Sequence, residues 1–122
     1  MSHTMTVKTQ FTDPATVAAV CREMQIAAPL AHGKHRLYGS NTAEGIAVML
    51  PGWHRPIVIN CATGELAKDD MDGNAGKQLE SMNKFKQLYV VHKATQVAQR
   101  QGQRVQRVIA ANGTIRLQIH VP

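Results

Sequence analysis

The sequence predicts an α+β domain: a mostly antiparallel sheet with two helices on one face, a ferredoxin-like variant in the order β-α-β-β-β-β-α-β-β. Three observations predict it. A short alternating run is followed at once by a capped helix, Lys77–Gln101 keeps helical periodicity, and two alternating runs meet at Asn112-Gly113 near the end. The chain has 122 residues, 43% hydrophobic and 18% charged, which is enough for a single domain, 1–122, with its own core. Only Phe11, Tyr38, Trp53, Phe85 and Tyr89 are aromatic, so that core is mostly aliphatic.

Met5, Val7, Thr9 and Phe11 alternate and predict a first strand over 5–11. Asp13-Pro14 then opens a helix, with Asp13 as its cap and Pro14 at the first helical position. Val17, Val20, Cys21 and Met24 form its apolar stripe, and it ends before Pro29. Ala31–Ser40, rich in His, Gly and Lys, reads as a loop leading to a short strand near Arg36–Tyr38. Gly45–Leu50 and Pro56–Cys61 are apolar runs around Pro51-Gly52-Trp53-His54-Arg55, a hairpin with an aromatic tip. A turn at Ala62-Thr63-Gly64 leads to a strand near Glu65–Lys68, and Asp69–Gly76 reads as an exposed loop.

Lys77–Gln101 is one helix of about 37 Å at roughly 1.5 Å per residue. Its apolar residues occupy two arcs: Leu79, Val90, Val91, Ala94, Val97 and Ala98 on one, Met82, Phe85, Leu88 and Tyr89 on the next. A helix apolar on two sides packs on its own sheet and on something else, or makes one broad core contact. The first alternative gives a homodimer through Met82, Phe85, Leu88 and Tyr89. Gly102 stops the helix. Val105–Ala110 and Thr114–Val121 then pair across Asn112-Gly113. A two-residue turn sets Val108 opposite Leu117. A three-residue loop sets Ile109 opposite Ile115 and Val105 opposite Ile119, and is preferred because it buries two large residues.

Charge is divided unevenly along the chain. All eight acidic residues lie at or before Glu80, while Lys84, Lys86, Lys93, Arg100, Arg104, Arg107 and Arg116 follow it, within a net charge of +6. Such a field attracts phosphate backbones, nucleotides or acidic protein surfaces, or serves as a soluble basic surface. No apolar run reaches the roughly 20 residues of a membrane span, and the N-terminal residues lack the pattern of a secretory signal. Cys21 and Cys61 stand apart from any CxxC spacing and read as buried thiols, so a cytoplasmic protein is expected.

Several local signatures occur in order: Met-Ser-His with Val7-Lys8-Thr9, Leu50-Pro51-Gly52-Trp53, and Ile59-Asn60-Cys61-Ala62-Thr63-Gly64-Glu65. Tyr89 through Ala98-Gln99-Arg100-Gln101-Gly102 and Asn112-Gly113-Thr114-Ile115-Arg116-Leu117 complete the set. Together they resemble an uncharacterised family of small proteins, the plastid and cyanobacterial hypothetical frame Ycf thirty-five with its bacterial and phage relatives. The resemblance implies an α+β fold and supplies no activity or catalytic residues. Where the relatives carry acidic residues in the long helix and last hairpin, this chain has Gln, Asn and small residues, so the basic tail is a property of this member.

The residues offer no convergent catalytic constellation, and the chain is read as a non-catalytic protein without a cofactor. His32 and His35 lack a third metal ligand at a recognisable spacing. Asp69, Asp70 and Asp72 lack the EF-hand pattern, and Gly33-Lys34 lacks the rest of a P-loop. The candidate anion-binding residues form two groups. Arg100, Arg104, Arg107 and Arg116 surround the end of the long helix and its hairpin. His32, Lys34, His35, Arg36, Trp53, His54 and Arg55 lie on loops, with Trp53 either stacking on a base or folding over the core.

The expected function is binding of a small phosphorylated, nucleotide-like ligand in a closed pocket, such as one at a dimer interface; a phage protein that sequesters an immune-signalling nucleotide fits it. The alternative is a basic interaction module for RNA or an acidic protein. A third reading is a phosphodiesterase or nuclease using His32, His35, His54, His92 or His120 as acid and base.

Overall fold

The computed structural model describes residues 4–8, as backbone, together with 11–37 and 40–121. Its elements are β1 (Thr4–Lys8), α1 (Pro14–Glu23), β2 (Leu30–Arg36), β3 (Thr42–Val48), β4 (Ile57–Asn60), β5 (Glu65–Asp69), α2 (Gly76–Arg100), β6 (Arg104–Ile109) and β7 (Ile115–His120). The class is α+β, in the order expected. The sheet runs β1-β5-β4-β3-β2 and every neighbouring pair is antiparallel. A ferredoxin-like sheet interleaves its strands, whereas here four consecutive strands form a meander and β1 is added at its edge. Among the described residues, strands β6 and β7 pair only with each other, as a separate ribbon.

Local chemistry explains most of these boundaries. Asp13 caps α1 as its sequence predicts: Oδ1 accepts from the backbone N–H of Ala15 and Thr16, while Oδ2 accepts from the Thr16 hydroxyl. The Thr16 hydroxyl and, less strongly, Lys93 hold the Asp13 carboxyl below its usual range, with burial opposing them. Phe11 lies beyond β1 and seals the core, edge-on to Tyr89 at 4.7 Å, and the Tyr89 hydroxyl accepts from the Asp13 N–H. Residues 9 and 10 of the expected first strand, and Tyr38 of the expected short strand, lie outside the described residues.

The expected loop at Ala31–Ser40 is corrected by the structure, because 30–36 is strand β2, paired with β3. It is an edge strand solvated along most of its length, so it lacks the apolar alternation by which a half-buried strand is recognised. Between β3 and β4 the backbones approach closely at Gly45. A Cβ there would collide with the Ile59 carbonyl, so only glycine fits.

The core lies between the sheet and the two helices. Val48, Ile57, Ile59 and Leu66 face Val17, Val20 and Cys21 of α1 and Met82, Phe85, Leu88 and Tyr89 of α2. Leu37, Ala47 and Val58 form a small second cluster. The expected homodimer face is therefore a correction: Met82, Phe85, Leu88 and Tyr89 are buried at 5%, 0%, 1% and 4% exposure against the chain's own core. Emptying the Phe85 site alone would cost about 3–5 kcal/mol. The apolar residues of α2 left in solvent are Leu79, Val90 and Val97.

The ribbon has the preferred register, with Val105 opposite Ile119 and Ile109 opposite Ile115. The reason given for it does not hold throughout, since Ile109 is 70% and Ile119 47% exposed. Ile115 does pack on the main core. The ribbon lies along α2, and Arg107 adds an ion pair to Glu23 at the end of α1.

Candidate functional site

The turn between β3 and β4 is held by a dense set of hydrogen bonds. Its Trp53 is 7% exposed, with its indole N–H directed at the Gln78 carbonyl and the Ser81 hydroxyl. A buried indole N–H needs such a partner, and α2 supplies both. Trp53 is therefore closed over the core and is not a platform for a base, which corrects the stacking alternative. Its ring also explains Gly73, where φ is +78° and a Cβ would lie 2.5 Å from the Trp53 ring.

Beneath the turn, Asp72 is 2% exposed. Its carboxylate accepts from the Arg55 N–H at 2.9 Å, the Gln78 side-chain amide at 3.0 Å and, at longer range, the His54 N–H. His54 Nδ1 lies 3.0 Å from the same carboxylate, with the ring 84% exposed. Lys68, also buried, donates to the Asp72 and Asp69 carbonyls and lies 5.9 Å from the Trp53 ring. The expected exposed loop at Asp69–Gly76 is thus corrected in part: Asp69, Asp72 and Gly73 are buried, with Asp72 bonding the turn opposite, Gly73 N–H donating to the Gln78 side chain and Asp69 accepting from the Met71 N–H of its own loop. His54 and Asp72 form a pair, and the Ser81 hydroxyl, which accepts from the Trp53 indole, has the Pro51 and Gln78 carbonyls within reach of its single proton.

The remaining loop candidates fall on β2. Lys34 and Arg36 are exposed along this edge strand, with Lys34 opposite Glu44. His32 lies 3.5 Å from Glu44, whereas His35 contacts the Ala31 carbonyl. Among the described residues no three His, Cys, Asp or Glu side chains are grouped as a metal site.

The arginines at the other end do not converge. Arg107 is on the ribbon face turned toward α2, where it bonds Glu23 at 2.8 Å, and His92 takes the other Glu23 oxygen at 2.8 Å. The Arg107 hydrogen bond, then that of His92, holds the Glu23 carboxyl below its usual range against the effect of burial. Strand alternation puts Arg104 and Arg116 on the opposite, outward face. Arg104 is opposite His120, so Arg116 is four residues farther along, about 13 Å at roughly 3.3 Å per residue. Arg100 ends α2 and is exposed.

Beside the ribbon runs a trough of about 820 Å³, floored by Phe11, Tyr89, Val90, Ala94, Val97 and Ile119, with Lys86 and Lys93 but no carboxylate among its described lining residues. Lys93 is engaged with Asp13 at 3.2 Å.

The chain matches no protein-family model, no curated protein and no solved structure. The sequence reading overlooked Gln106, which shares the outward ribbon face with Arg104 and lies opposite Gln118. The signal was present: the preferred register, combined with strand alternation, already placed these two glutamines side by side.

Proposed function

We propose that this protein is a non-catalytic binding module for an extended polyanion, with nucleic acid as its partner, and that α2 and the β6–β7 ribbon form its working surface. One observation carries the reading. After Glu80 these elements hold seven Lys and Arg and no carboxylate; Arg100, Arg104 and Arg116 are exposed, Arg104 and Arg116 stand about 13 Å apart along one ribbon face, and none of the three lines the trough. Charges spaced along a surface match a phosphate backbone, whereas a small phosphorylated ligand needs them convergent. Such a role suits a protein of the cytoplasm.

Binding to a labelled mixed-sequence duplex, measured across a salt series, tests the reading. Several phosphate contacts make affinity fall steeply and log-linearly with salt. A flat salt response, or no binding at low salt, would refute it. The trough favours a second reading, a small amphiphilic anion with its apolar body on Val90 and Val97 and its charge near Lys86. A Val90→Gln substitution, which adds no charge to α2, would weaken that binding and leave the nucleic-acid salt slope unchanged.

A further inference from the structure

We infer that the outward face of the β6–β7 ribbon reads base edges in the major groove of duplex DNA; this rests on the polyanion reading above and names the element that would give it sequence preference. The face is built from Arg104, Gln106 and Val108 on β6 and Arg116, Gln118 and His120 on β7, in the pairs Arg104–His120, Gln106–Gln118 and Val108–Arg116. All except the half-buried Val108 are exposed. The other face turns toward α2 and Glu23, where Ile115 packs on the core and Arg107 bonds Glu23, and the outward face is the more exposed of the two.

The choice of side chains carries the inference. Arginine bonds the major-groove edge of guanine bidentately, and glutamine does the same for adenine. Both types stand on one ribbon face, with a central cross-strand glutamine pair between flanking arginines. A face that only kept the ribbon soluble would mix acids with lysines, as the Lys34–Glu44 pair does on β2 and β3. Here no acid is present, and the next basic residue along the chain is Arg100, one loop before the ribbon at the end of α2.

Dimensions agree with the chemistry. Two paired strands have backbones about 4.8 Å apart, and the B-DNA major groove, about 12 Å wide, admits a two-stranded ribbon. The major groove of duplex RNA is too deep and narrow for side chains to read. The electrostatic attraction is shared by all nucleic acids, so DNA is distinguished by readout and not by charge.

The test is selection of bound sequences from a randomised DNA duplex pool with the full-length chain, followed by affinity measurements on the winner. Wild type should enrich a short motif containing both guanine and adenine. Replacing the purines of that motif with analogues lacking the major-groove ring nitrogen should weaken binding roughly tenfold. The Gln106→Ala/Gln118→Ala double variant changes no charge and touches no buried group. It should lose the preference at the adenine positions while keeping its affinity for unrelated duplex within about twofold. Binding without enrichment, enrichment that survives the double variant, or tighter binding to RNA would overturn this inference and leave the polyanion reading standing. Absence of binding to any nucleic acid at low salt would overturn both.

Discussion

Replacing Asp72 by Asn tests whether the β3–β4 turn is held by a buried carboxylate. In the wild type one oxygen accepts from Arg55 N–H at 2.9 Å, and the other accepts from the Gln78 amide at 3.0 Å and contacts His54 Nδ1 at 3.0 Å. Asparagine can keep its carbonyl toward the two backbone N–H groups, but its amide then meets the Gln78 amide donor to donor. Gln78 cannot simply turn over, because its own amide also donates to the Gly52 carbonyl and its oxygen accepts from Gly73 N–H. The substitution therefore weakens the charge-assisted bonds to the backbone and leaves one buried polar contact unmatched. Losses of this kind cost about 1–3 kcal/mol each, so a total of about 2–3 kcal/mol is expected once local relaxation is allowed. For a chain of this size that lowers Tm by about 10 °C. Denaturant unfolding at pH 7 measures it, followed by the fluorescence of Trp53, the only tryptophan. A loss under about 0.5 kcal/mol, the ordinary range for a surface change, would show that the network does not hold the turn.

Trp53 itself should emit at short wavelength and resist iodide quenching in the native state, and Trp53→Phe should cost about 2 kcal/mol through the lost bonds to Gln78 and Ser81; free access of iodide would contradict its burial. Glu23 is held below its ordinary value of 4.5 chiefly by Arg107, so its contribution to stability is present above that value and is lost as pH falls through the lowered folded value. Denaturant midpoints between pH 6 and pH 3 should fall less steeply in Glu23→Gln than in wild type, and an identical slope would remove Glu23 from the account. Cys21 is fully buried, and burial pushes its thiol up, so iodoacetamide at pH 8 should modify it only after unfolding. Gly45→Ala should fail to accumulate as folded protein, because its Cβ would overlap the Ile59 backbone; a cooperative melt near that of wild type would show that the strands can separate there.

Much of the fold was legible because it is encoded locally. The Asp13-Pro14 cap, the unbroken periodicity of α2, and Asn112-Gly113 between alternating strands act over neighbouring residues. The turn glycines do the same. Strand β2 was not legible, because an edge strand with both faces near water has no apolar pattern to display. The candidate site was legible only as composition. The excess of positive charge after Glu80 is visible in one dimension, but its division between two ribbon faces depends on register and on which face α2 covers.

The sequence by itself thus determined the element order, the cap of α1, the length of α2, the pairing within the last hairpin and the sign of the surface potential around it. Each follows from dihedral preference, hydrogen bonding between near neighbours or net charge. Tertiary structure alone decided the rest. It closed Trp53 over the core, placed Met82, Phe85, Leu88 and Tyr89 inward, bound Arg107 to Glu23 and left Arg104, Gln106, Arg116 and Gln118 facing outward. The physical reason is that an apolar or charged side chain carries no label for its partner. Its partner is set when elements far apart in sequence compete for the same buried surface.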